Sequence, residues 1–302
     1  MARWSTAIQL VGAGGEPVDL ARTLLSHGVA DLPPNEIAPD GTRLSTVLTA
    51  GGSGWVVEVT SHGAGRASLS AGANAPPSTH RPALVAQIRH MLRLDEDLSA
   101  FYLLAAPDPA LAWVVAGAGR MMRSPTVFED LVKTTCTTNC AWSATVRMVS
   151  ALVRELGTPA AGVPERRAFP APGTVANAGD AFFRDVARAG YRGPYLRTLA
   201  EDVASGRLEL EALSDPGLPD QEVADRLLKI AGVGPYAVAH MMMLLGRYER
   251  LILDSWTRPN YRRMSGRPRI TDKGIERAFR RYRQFAGLAF WLMLTEDWLP
   301  AE

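Results

Sequence analysis

At 302 residues, with 47% hydrophobic and 21% charged side chains, the chain is globular in composition and long enough for two or three subdomains around a sizeable core. Two cysteines, Cys136 and Cys140, exclude a disulfide-stapled secreted scaffold, and no second Cys or His pair has the spacing of a zinc site. Met1-Ala2-Arg3-Trp4-Ser5 opens no apolar signal region and no apolar run approaches a bilayer span, so a cytoplasmic, nucleoid-associated protein with no membrane partner is expected.

Residues 1–80 read as a strand-rich domain. A short helix is predicted over Asp19–His27, a strand over Leu44–Thr49, a turn at Gly51-Gly52-Ser53-Gly54, and an alternating strand over Trp55–Thr60 with Trp55, Val57 and Val59 on one face. A second turn at His62–Gly65 precedes a strand over Arg66–Ser70. The economical assembly is a small antiparallel sheet packed on one or two helices. Gly72–Pro82, with Pro76, Pro77 and Pro82, reads as a linker.

From residue 83 to 302 the punctuation is helical. Helices are predicted at Ala83–Leu92, Leu98–Ala105, Pro109–Val115, Pro125–Thr134 and Asn139–Leu156, then a loop at Gly157–Pro172. They resume at Ala178–Ala189, Gly193–Ser205, Gln221–Ala231, Tyr236–Leu245, Ser255–Arg262, Thr271–Phe285 and Leu288–Thr295, with Thr271 and Asp272 suited to an N-terminal cap. The fold class is therefore α+β, a small antiparallel sheet domain followed by a mostly α-helical body.

The segment from Leu227 to Arg258 organises the rest. A helix stops at Gly232-Val233-Gly234 and another starts at once with Pro235, whose fixed φ suits a first helical turn. Such a hairpin, about 227–245, turns the amides of Val233, Gly234 and Tyr236 outward at a helix N-terminus, where a phosphate is the natural guest. An apolar run then delivers one carboxylate, Asp254, which could equally cap the next helix. The formal net charge of +2 hides an asymmetry: between Arg258 and Arg283 ten basic residues face two acidic ones, so this stretch carries +8 and the remainder −6. One face built for a polyanion follows, although charge runs are also common on solvated helix faces.

These residues resemble the helix-hairpin-helix DNA glycosylases, in the 3-methyladenine and 8-oxoguanine branch. Gly232-Val233-Gly234 is similar to the family hairpin that grips one DNA phosphate, and Asp254 to the catalytic aspartate about twenty residues on. Arg93-Leu94-Asp95, the run Val132–Asn139, Gly287–Phe290 and Thr295–Trp298 carry the likeness across roughly Leu84–Trp298. The resemblance implies a base-excision enzyme that flips a damaged base out of double-stranded DNA and breaks its N-glycosidic bond, with Asp254 stabilising the cationic sugar or activating water.

The resemblance also assigns the surroundings. Gly232, Val233, Gly234, Tyr236 and Arg258 would hold DNA phosphates. Tyr236 and His240 would line the base pocket, joined by Trp142, Phe290, Trp291 and Leu294, although each aromatic taken alone reads more readily as core. Asn139 would reach the opposite strand or cap the following helix; both readings stand. Relatives that also cut the strand place a lysine two residues after the second hairpin glycine; Tyr236 stands there, implying a monofunctional enzyme without lyase chemistry. An alkylated purine is the expected substrate, the alternatives being an oxidised-purine (8-oxoguanine) enzyme or a non-catalytic helix-hairpin-helix DNA-binding protein. No organic cofactor is expected, and two cysteines cannot supply the four thiolates of an iron-sulfur cluster. A monovalent cation on the backbone carbonyls of Lys229, Ala231 and Val233 would be in keeping with relatives, and a monomer is expected. Met241-Met242-Met243 reads as soft core filling.

Overall fold

The computed structural model describes residues 3–72 and 74–299 of the protein. Strands β1 (Trp4–Gln9), β2 (Glu36–Ile37), β3 (Arg43–Ala50), β4 (Ser53–Ser61) and β5 (Arg66–Ala71) form an antiparallel sheet in the order β1-β5-β4-β3-β2, with helix α1 (Leu20–Leu24) between the first two. The β3–β4 hairpin closes on Gly51 and Gly52, both at positive φ (59° and 78°), the conformation that a tight turn matched to strand twist demands twice. Val57 and Val59 are fully buried on the face that the alternation indicated, against Leu84 and Ile88 of helix α2 (Arg81–Met91).

The stretch expected to be loop after residue 157 contains two further strands, β6 (Pro159–Ala160) and β7 (Val163–Arg167). Ala160 pairs in parallel with Gly54, so the helical part of the chain returns to complete a seven-stranded sheet. Gly54 makes the approach feasible, since a Cβ there would sit 2.8 Å from the Pro159 carbonyl oxygen. A Pro, Gly and Ala composition carries no strand signal, and the pairing is dictated by a partner more than a hundred residues away.

The body consists of α3 (Ser99–Ala105), α4 (Val127–Thr137), α5 (Trp142–Leu156), α6 (Pro172–Ala176), α7 (Arg192–Ala204), α8 (Asp220–Leu228), α9 (Pro235–Leu244), α10 (Thr257–Met264), α11 (Asp272–Phe279) and α12 (Ala286–Thr295). With the sheet, this is the α+β architecture expected. Several boundaries differ. The helix predicted at 109–115 is a tight turn at Ala112–Ala116, that at 178–189 shrinks to one wide turn at Phe182–Val186, and that at 271–285 breaks after Phe279, beyond which Arg283 has φ 54°. Threonine caps are where the sequence chemistry puts them: Thr126 Oγ1 accepts from the Glu129 amide (3.1 Å) and Thr271 Oγ1 from the Gly274 amide (3.2 Å).

Helix α9 is apolar all round because it is buried all round. Ala237, Val238, Met241 and Met242 pack into one cluster with α4, α5 and α8, while Ala239 and Met243 pack into a second with α3 and α10–α12. Its C-terminus is held from the sheet side. The buried Arg93 guanidinium donates to the carbonyls of Met243, Leu244 and Met121 and pairs with Glu96, and Arg120 pairs with Glu16 before β2. Orphan helix-end carbonyls are thereby satisfied, and the sheet fixes the tilt of the hairpin helix. No helix among the described residues is long and apolar enough to cross a membrane.

Candidate functional site

Helix α8 ends at Leu228 with Lys229 as its cap, the chain turns through Gly232 at φ +85°, and Gly234 in extended conformation caps α9 with Pro235 at its first position. The two glycines serve different ends. A Cβ on Gly232 would lie 2.5 Å from the Tyr195 ring of α7, whereas one on Gly234 would meet nothing within 4 Å. Gly232 is required by packing and by backbone conformation; Gly234 leaves open space at the helix mouth. The Val233 amide, expected to point outward, instead donates to the Ile230 carbonyl (3.1 Å), because this bond closes the turn. Among the described residues the amides of Gly234, Tyr236 and Ala237 donate to no backbone carbonyl, and these are the groups offered to an anion. The carbonyls of Lys229, Ala231 and Val233 accept no hydrogen bond among the described residues.

Asp254 follows the irregular run Leu251–Leu253 and is half-buried. Its Oδ1 accepts from the amides of Trp256 (2.8 Å) and Thr257 (2.7 Å), while its own amide donates to Thr257 Oγ1 (2.9 Å). The capping reading is therefore correct, and it leaves the functional one intact: one oxygen is fixed in the first turn of α10, and Oδ2 has no hydrogen-bond partner among the described residues. A carboxylate held this way keeps its direction. Its charge reaches Tyr236, whose phenol is raised chiefly by burial and further by Asp254, against the opposing bond to Thr137.

The side chains expected around Asp254 divide. Tyr236 and His240 lie one helical turn apart with ring centres 6.0 Å apart, and the Tyr236 hydroxyl meets Thr137 Oγ1 at 3.4 Å. Trp291 is buried, donates from Nε1 to the Ser26 carbonyl (2.8 Å) and packs on Trp256 (5.7 Å), directly beside Asp254. Trp142 is half-exposed on α5, with its ring against Gly28. Phe290 is a correction: it is fully buried between Tyr261 (5.7 Å) and Phe279 (5.2 Å), a core position set by the inward face of α12. Leu294 is half-buried against the same cluster.

Asn139 does not cap α5. The helix starts at Trp142 with Ala141 at its cap, and Asn139 sits exposed at φ +47° in the α4–α5 connection, its amide 3.3 Å from the Tyr191 hydroxyl. Tyr191 also stacks on the Arg192 guanidinium, which donates to the Thr138 carbonyl. Cys140 likewise lies beyond the helix in which it was expected, with Sγ on the Cys136 carbonyl, and burial raises the Cys136 thiol to about 12.

Between the hairpin helix and α11 runs a groove of about 740 Å³, reached by Tyr236 and lined by Arg258, Asp272, Glu276, Arg280 and Arg283. Arg258 is not a free phosphate ligand here: it forms a two-pronged pair with Asp272 (2.9 Å for each bond), and this bond holds the Asp272 carboxyl below its ordinary range. The basic run is thus partly neutralised beside the hairpin, and its exposed excess lies farther along, at Arg263, Arg267, Arg269 and Arg277.

Beside the expected Trp291, the structure brings together side chains that carried no sequence signal as site residues. The Ser26-His27-Gly28 corner of the sheet domain reaches α5, α9 and α12: His27 stands edge-on to His240 at 5.7 Å, with Trp291 bonded to Ser26 and Trp142 over Gly28. Trp256, Trp291 and Trp298 form a mutual cluster at 5.7–5.8 Å. Tyr191 holds Asn139. Each depends on contacts across the fold.

No family model matches the sequence, and a search of curated proteins finds no match. Solved structures do match. A 3-methyladenine DNA-glycosylase from Archaeoglobus fulgidus superposes with a TM-score of 0.74 at 16% identity, covering 97% of this chain and 98% of that one. The 8-oxoguanine glycosylase/lyase of Clostridium acetobutylicum in its apo form gives 0.73 at 19% identity, covering 96% and 95%. This chain has the fold of the helix-hairpin-helix DNA glycosylases. The same Clostridium enzyme bound to double-stranded DNA with cytosine opposite 8-oxoguanine matches at 0.70 and 18% identity, over 93% of this chain and 92% of that one.

Proposed function

We propose that the protein is a monofunctional DNA glycosylase of base-excision repair, acting on an alkylated purine in duplex DNA. The observation that carries this reading is the Asp254 carboxylate, anchored by Oδ1 in the start of α10, with Oδ2 without a hydrogen-bond partner among the described residues. The amides of Gly234, Tyr236 and Ala237 hold one phosphate of the damaged strand, and the extruded nucleotide enters toward Tyr236 and Trp291. As the glycosidic bond stretches, positive charge grows on the sugar, and a fixed carboxylate stabilises that charge without reorganising. Water completes the substitution and leaves an abasic site.

Of the chain's three lysines none stands two residues after the second hairpin glycine, and Lys273 is exposed on α11. Tyr236 occupies the position where a nucleophilic lysine would act; Lys133 is fully buried and paired with Glu129 (2.7 Å), and Lys229 is exposed before the turn. The likeness in fold to an 8-oxoguanine enzyme favours an oxidised purine as the second reading. Duplexes carrying 3-methyladenine, hypoxanthine, 8-oxoguanine or uracil, each incubated with the protein and split into samples with and without alkali, decide the matter. Strand breaks only after alkali, on the 3-methyladenine duplex, are expected. Breaks without alkali would refute the monofunctional assignment, and intact strands throughout would refute the enzyme.

A further inference from the structure

Among the described residues, Arg258 and Asp272 form the single ion pair that lines the groove beside the hairpin, with Nε and Nη2 of the guanidinium each 2.9 Å from a carboxylate oxygen. A guanidinium fork takes a carboxylate and a phosphate in the same two-bond manner. Asp272 therefore occupies, on Arg258, the place that a DNA phosphate would take.

The surroundings make this pair exchangeable. Arg258 rises from the turn that fixes Asp254, its amide donating to the Asp254 carbonyl (3.3 Å), and Pro235 and Tyr236 at the start of α9 line the same groove. The guanidinium thus stands near both the carboxylate and the hairpin mouth. Both partners are open to solvent, with side chains 35% and 44% exposed, so water screens their attraction and opening the pair costs little. Asp272 is not stranded when Arg258 leaves, because it lies in the first turn of α11, where the helix N-terminus favours a negative charge. Among the other charged residues of the groove, Arg250, Arg280 and Arg283 outnumber Glu249 and Glu276, so an entering polyanion is attracted.

Resting on that part of the glycosylase reading which brings duplex DNA to the hairpin, we propose that Asp272 is a built-in competitor of DNA for Arg258. In the free protein the carboxylate occupies the guanidinium; when a duplex docks, the pair opens and Arg258 takes a backbone phosphate. Asp272 thereby lowers the affinity for every duplex alike, the abasic product included. The test is the salt dependence of binding to an undamaged duplex between about 50 and 200 mM KCl, measured for the parent, Asp272→Asn, Arg258→Gln and the double variant. Each phosphate held by a cationic side chain adds about 0.9 to the steepness with which the logarithm of the association constant falls against the logarithm of salt concentration. An unfolded fraction of protein does not alter that slope.

Exchange gives the parent and Asp272→Asn the same slope, because Arg258 reaches a phosphate in both, and a slope shallower by about 0.9 in the two proteins that carry Arg258→Gln. Asp272→Asn should also bind up to about fivefold more tightly than the parent, since no exposed pair has to open, and this gain should shrink in the Arg258→Gln background. A slope for Asp272→Asn steeper than the parent's by about 0.9 would mean that the pair stays shut on DNA, and would overturn the inference. So would a slope that Arg258→Gln leaves unchanged, which would put Arg258 away from the backbone. A parent that binds no duplex would remove the docking reading as well, whereas a parent that shows the expected slopes and releases no base would refute the enzyme and leave the exchange standing.

Discussion

The two hairpin glycines make contrasting demands, and substituting each by alanine separates them. At Gly232 the φ of +85° disfavours any L side chain by about 1–2 kcal/mol, and a Cβ 2.5 Å from the Tyr195 ring must displace that ring. Overpacking costs about 1–3 kcal/mol, but Tyr195 is 37% exposed and can swing outward, so the lower part of that range applies. Gly232→Ala should lose about 2–4 kcal/mol in denaturant unfolding, equivalent to about 3–6 °C for a chain of this length. Tyr195 contacts Tyr191, the residue that meets Asn139, so duplex binding should weaken as well. Gly234 has φ −103° and open space, so Gly234→Ala should unfold within about 1 kcal/mol of the parent, on either side, since alanine also restrains the unfolded chain. It should nevertheless bind DNA less well, because its methyl stands where the phosphate must approach the free amides. Equal destabilisation by the two substitutions, or a neutral Gly232→Ala, would refute this reasoning.

Acid should destabilise the fold through the two buried imidazoles. His27 and His240 are held at about 3 and about 4, below the ordinary 6.5, so the unfolded chain takes up protons first. Their stabilising contribution is present above about pH 6.5 and is lost as pH falls toward 4; between pH 7 and 5 each removes about 2 kcal/mol. Unfolding free energies at the two pH values check this, and a flat profile would contradict it. Asp130 has the opposite sign. Burial raises its carboxyl from 3.8 to about 6, so the folded state holds the proton longer and stability falls as pH rises through 6. Asp130→Asn, which keeps an acceptor for the Ser124 amide, should therefore gain about 1–3 kcal/mol at pH 7 and little at pH 4.5. Destabilisation at both values would show that the charge is needed.

What was legible in the sequence was whatever is decided locally. The hairpin glycines, the Pro235 start, the threonine cap at Thr271 and the alternation of Val57 and Val59 follow from backbone sterics and periodicity, and all four appear in the fold. Asp254 was legible as one residue with two roles, because capping uses only one of its oxygens. The rest depends on distance in sequence. β6 exists only because Gly54 admits it, and Phe290 reads like a pocket aromatic until Tyr261 and Phe279 close over it. Val233 was misread because an outward amide and one that closes the turn look alike in the chain. The Ser26–Gly28 corner comes to α9 across more than two hundred residues, and no spacing rule connects His27 to His240.

The most direct measurement is single-turnover base release by Asp254→Asn. Asparagine retains an oxygen for the Trp256 and Thr257 amides, so the start of α10 is preserved and only the charge is removed. Loss of one preorganised charge from the transition state should slow release by about 100- to 1,000-fold, with duplex affinity equal to or tighter than that of the parent. Release within about threefold of the parent, a change of less than 1 kcal/mol in the barrier, would contradict the assignment of Asp254 as the carboxylate that breaks the glycosidic bond.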